Sequence, residues 1–155
     1  MKYIKFKATS VMTIIVIVAV IGLLTAVILP PLNTARSKQS LNGAVDDVVS
    51  ILVTARSQTL ASYNSHNYGV HIASGSVTMY TGPTYSSNAT DNVVKSFDTG
   101  ITASSISLAG GGVNVLFDRL KGSTSQYGTI VIHSAGAGTY SKTITVGSTG
   151  LVSVQ

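Results

Sequence analysis

From Val11 to Leu29 the chain runs for nineteen residues without a charge, after Lys2, Lys5 and Lys7 and before Pro30-Pro31. As a helix this run is about 28 Å long, against a bilayer hydrocarbon core of roughly 30 Å, which predicts a membrane span. Its length, and the absence of a small-x-small site between Thr25 and Ala35, argue for a retained segment over a removed signal peptide. Three lysines precede the run and only Arg36 and Lys38 come soon after it, so the N-terminus is expected in the cytoplasm and the remainder outside.

Beyond the prolines the period changes twice. Leu41, Val45, Val48, Leu52, Ala55 and Thr59 recur at spacings of three and four, with Asp46, Asp47, Arg56 and Gln58 between them, which predicts an amphipathic helix ending near Ser62. Pro30 and Pro31 donate no backbone hydrogen bond, so one long helix interrupted there is expected. From Tyr68 the period becomes two. Val70 and Ile72, then Val77 and Met79, predict a hairpin turning at Ser74-Gly75. Further alternating runs surround Val113–Phe117, Ile130–His133 and Thr143–Val146, with Leu151, Val152 and Val154 at the end. Ile101 to Leu108 alternates at both ends but slips at Ser104-Ser105, as a bulge would make it do. Gly82 to Asn92 is the longest expected loop. The connections are too short for parallel crossovers, so an antiparallel sheet with the helix covering one face is the economical arrangement.

Composition narrows the functional classes. The chain has 155 residues and a formal charge of +5, but residues 1–8 hold three lysines and no acid. Residues 9–155 carry seven basic against five acidic side chains, a net of +2, which is no nucleic-acid footprint. Without cysteine there is no disulfide and no thiolate metal site. Catalytic constellations are scarce. His66 falls in a loop, and His71 and His133 in separate strands; a metal would need the two strand histidines on one face with a third ligand. Serines abound, yet no G-x-S-x-G elbow organises one with a His and an Asp. Gly110-Gly111-Gly112 precedes no helical pattern and is a turn, not a phosphate cradle. No catalytic residue, metal or cofactor is expected, and the chain does not look like an enzyme.

A basic leader, an uncharged helix with Ile21-Gly22-Leu23-Leu24 and Leu29-Pro30, an amphipathic extension and a C-terminal sheet together resemble the type IV pilin and type II secretion pseudopilin superfamily. Four segments resemble the GspH/FimT-type minor pseudopilin domain: Ala55-Arg56-Ser57-Gln58-Thr59-Leu60-Ala61, Tyr68-Gly69-Val70-His71, Leu116-Phe117-Asp118-Arg119 with Gly122, and Gly147-Ser148-Thr149-Gly150. The resemblance implies an α+β fold, with a long N-terminal helix (a membrane-spanning half plus an amphipathic half) packed on a C-terminal antiparallel β-sheet. It divides the chain into a cleaved leader at 1–8, a transmembrane and filament-core helix at 9–32, and a soluble pseudopilin domain at 33–155.

By the same resemblance, prepilin peptidase cleaves between Ala8 and Thr9 and the new amine is methylated. Ala8 stands where the family usually has glycine, and Thr9 where it commonly has phenylalanine. Thr13 falls at the fifth mature position, where relatives carry a glutamate that neutralises a neighbouring subunit's N-terminal amine. Threonine makes no such ion pair, which points to a minor subunit. Thr9, Thr13, Gly22 and Pro30 are the expected assembly residues. The implied work is structural, within a type IV pilus or a type II secretion pseudopilus. The implied partners are other pilin-like subunits, the peptidase, an assembly platform with its ATPase, and membrane lipid before assembly. The implied location is the cytoplasmic membrane, single-pass with the C-terminal domain outside, and then a filament in the periplasm or at the cell surface. DNA is not an expected partner, since no basic residue occurs after Lys142. A permanently membrane-anchored extracytoplasmic binding module or DNA-uptake receptor is the alternative.

Overall fold

A computed structural model describes residues 11–135 and 139–155, without the side chains of 26–32. Helix α1 runs from Val11 to Leu60. Its backbone is helical through Pro30-Pro31, so the expected interruption is not seen. The second half is amphipathic as the spacing requires: Leu41, Val45, Val48, Leu52, Ala55 and Thr59 are all buried, and Ala44 and Ile51 widen the stripe. The helix stops where Ser62 turns left-handed at φ 48°, and a short 3-10 turn, Tyr63–Ser65, leads into the sheets.

Eight strands complete the chain: β1 Tyr68–Ala73, β2 Ser76–Thr81, β3 Val93–Ser96, β4 Ile101–Leu108, β5 Asn114–Leu116, β6 Gly128–Ser134, β7 Tyr140–Val146 and β8 Val152–Val154. They form two four-stranded antiparallel sheets, ordered β3-β2-β1-β5 and β4-β6-β7-β8. In the first, Val70 lies between Met79 and Val115, all three facing inward. In the second, Ile130 is flanked by Ile106 and Ile144. Helix α1 packs on β1 and β2 of one sheet and on β6 and β7 of the other. One core results, centred on Leu52, Phe117, Ile72, Ile130 and Ile144, each fully buried.

The slip at Ser104-Ser105 is a bulge between Ala103 and Ser105. Before it Ile101 faces inward and after it Leu108 does, so one extra residue lets odd and even positions share one face. The Ala103 N–H, just ahead of the bulge, donates to the Ser74 carbonyl at 2.8 Å and ties the second sheet to the β1–β2 turn.

Two further expectations need correction. The single C-terminal sheet is two sheets: β4 leaves the first sheet and β5 returns to it, a crossing that strand periodicity does not encode. The membrane-spanning half, and with it the single-pass membrane location, is not supported. Among the described residues no helix is long and apolar enough to cross a membrane.

Candidate functional site

The least satisfied surface is the start of α1. Every residue from Val11 to Thr25 is exposed, with Met12 at 72% and Ile17, on another face, at 50%. A helix apolar on all faces is ordinarily buried all round, and this one has no covering element among the described residues. Gly22 lies in open space on it, where an added Cβ would meet nothing within 4 Å. Thr25 turns its hydroxyl back to the Ile21 carbonyl at 2.8 Å and so presents its methyl outward. Thr13 is exposed and uncharged. Ala8 and Thr9 lie outside the described residues, and of Pro30 only the helical backbone is described.

The four family-like segments converge at the far end of the same helix. Arg56, one turn past Leu52, donates from Nε to the Gly122 carbonyl at 3.1 Å and to the Thr149 carbonyl at 3.4 Å. Gly150 sits at φ +76° against that guanidinium, and an added Cβ would collide with the Gly122 carbonyl and lie 2.8 Å from Arg56 Nε. The Thr59 hydroxyl accepts the Tyr68 N–H at 3.0 Å, while the Leu120 N–H donates to the Thr59 carbonyl at 3.2 Å. Ser123 donates to the Asp118 carboxylate at 2.9 Å and closes the turn that carries Gly122. Arg119 donates to the Ser65 carbonyl at 2.8 Å. These contacts bind helix end, strand start and two turns into one unit, and they occupy two of the chain's few arginines with backbone carbonyls. Arg56 was visible in the sequence as a polar position beside the apolar stripe and as part of a resembling segment; neither gave a hint of carbonyl partners ~65–95 residues away.

The histidines stay apart. His71 is on β1 of the first sheet and His133 on β6 of the second, while His66 comes just after the 3-10 turn. Among the described residues no group of three or more His, Cys, Asp or Glu could hold a metal ion. His66 instead faces Asp91 in a cleft of about 350 Å³ with Tyr63, Tyr68 and Thr81. Asp91 is held below the usual carboxylate range, first by a hydrogen bond from the Thr81 side chain, then by its own backbone N–H, with a smaller pull from His66.

A second cluster lies on the outer face of the first sheet, under the Gly82–Asn92 loop. Gly69 has no side chain, and the Tyr80 ring lies across it from the neighbouring strand. Burial pushes the Tyr80 phenol above its usual pKa. Tyr85, from the loop, stacks on His71 at 3.8 Å between centroids and 5° between planes, and meets Tyr80 edge-on at 5.5 Å. His71 Nδ1 is 2.7 Å from Asn114 Oδ1 on β5. Periodicity does not reveal this cluster, because Tyr85 is brought in by a loop of no readable period. Set against family models, curated proteins and solved structures, the chain matches none.

Proposed function

We propose that this chain is a minor pilin-like structural subunit of a type IV pilus or type II secretion pseudopilus, assembling through its apolar N-terminal helix. The observation that carries the reading is the wholly exposed apolar stretch Val11–Thr25, which extends without a break from a helix whose other half is core. Each large aliphatic side chain there, fully covered, stabilises a complex by roughly 1.5–3 kcal/mol. Helices of like subunits are the natural cover: such bundles pack closely at small residues, and Ala19, Gly22 and Thr25 supply a small-residue ridge at spacings of three. The second half of the helix, by contrast, is covered by the two sheets in one core.

The partners are other pilin-like subunits, with a prepilin peptidase and an assembly platform driven by its ATPase acting before incorporation. Thr13 is the reason for the minor role. A subunit lacking the glutamate leaves a neighbour's amine unpaired, and a buried unpaired charge is costly, so long runs of this chain are disfavoured. Quantitative mass spectrometry of sheared filaments tests this. The chain is expected as a small fraction of total pilin-like subunits, and Thr13→Glu is expected to raise that fraction. Absence from filaments, or a dominant share, contradicts it.

A further inference from the structure

We propose that the cavity beneath the Gly82–Asn92 loop binds the ring of a neutral carbohydrate. The cavity is about 260 Å³, below the roughly 300–1,000 Å³ of pockets for drug-sized ligands, and so suits a single ring. Tyr80, Tyr85, Asn114 and Gln126 line it, with the glycines 111 and 112 at its rim. None of its lining side chains carries a formal charge. A phosphate, a carboxylate or an ammonium would therefore leave water without a counter-charge.

What remains is a ligand that is polar, uncharged and partly apolar. Sugar hydroxyls both donate and accept; Asn114, whose Oδ1 faces His71, offers its amide N–H groups, and Gln126, whose Oε1 accepts the Leu116 N–H and whose Nε2 donates to Ser125 at 2.8 Å, keeps one further N–H. The C–H face of a pyranose is the apolar surface that an aromatic ring covers well. The site is also held in place before any ligand arrives. Tyr85 is stacked on His71, His71 is engaged by Asn114, and Gln126 Oε1 accepts the Leu116 N–H at 3.1 Å. Gly111 and Gly112 take φ of +75° and +83°, and an added Cβ at either would meet nothing, so the rim presents bare peptide groups to a ring above it. The inference uses no part of the apolar helix and stands whether or not the chain assembles.

Full-length protein is titrated with glucose, galactose, mannose and N-acetylglucosamine, with glucuronate and adenosine as charged and planar aromatic comparisons, by saturation-transfer NMR and calorimetry. At least one neutral sugar is expected to bind saturably with a Kd of about 1 mM or tighter, and better than both comparisons. Tyr85→Ala should weaken it at least about tenfold by removing the stacking ring. Asn114→Asp keeps an acceptor for His71 but loses the amide donor and adds a charge, and should weaken it severalfold even if Tyr85→Ala proves unstable. Tyr63→Ala, in the other cleft, should leave it unchanged. No binding of any neutral sugar at about 20 mM, preference for adenosine or glucuronate, or full affinity in a folded Tyr85→Ala variant overturns the proposal.

Discussion

Gly150 shows how little room the motif cluster leaves. Its left-handed φ of +76° disfavours any side chain, and a Cβ there meets the Gly122 carbonyl and the Arg56 guanidinium. Gly150→Ala is expected to cost at least about 2 kcal/mol in denaturant unfolding of the full chain. A loss near zero would mean that the two turns move apart freely. Asp91 sets a pH dependence instead. Its folded pKa lies below the ordinary 3.8, so the stability it contributes is present above that value and is lost as pH falls through the lower, folded one. Asp91→Asn should therefore narrow the stability difference between neutral and strongly acid solution, and an unchanged pH profile would remove the Thr81 and His66 contacts from the account. Because the group is at the surface, the effect is small.

Among the elements, α1 has two surfaces with opposite fates. Leu52 is fully buried between the sheets, and Leu52→Ala should destabilise by roughly 2–5 kcal/mol by chemical denaturation; Val53, beside it and half exposed, should tolerate alanine with little loss. The buried stripe was legible because a single helix face meets a single core, and spacing alone identifies such a face. The β1–β2 hairpin was legible for the same reason, and the bulge announced itself where Ser104-Ser105 breaks the alternation. Strand β3 was not. Its four residues are all exposed, and Val93 and Val94 stand side by side, so no period of two marks it. Lys95 instead secures it to the helix through Asp47 at 3.3 Å. Strand alternation reports which way side chains point, and not which strand is the neighbour, so the division into two sheets was hidden.

At the scale of the whole molecule, the described residues divide into a closed domain and an uncovered stretch of helix. The domain closes its core, satisfies its turns with Arg56 and Thr59, and ends in a short edge strand, β8. The start of α1 is apolar on every face and has no cover among the described residues. The membrane length of the uncharged run was the strongest expectation from the sequence, and it is the one the described helix does not support; an exposed apolar surface remains, and its cover is the central issue. The measurement that addresses it most directly is photo-crosslinking in the native cell from a benzophenone amino acid placed at Ile17, with Lys142 as a reference position on the domain. If the proposed assembly holds, adducts at Ile17 are expected to be chiefly with pilin-like subunits, identified by mass spectrometry, and to exceed those at Lys142. An Ile17 position that yields no adduct with any such subunit, in cells where the chain is folded and abundant, would contradict assembly through this helix.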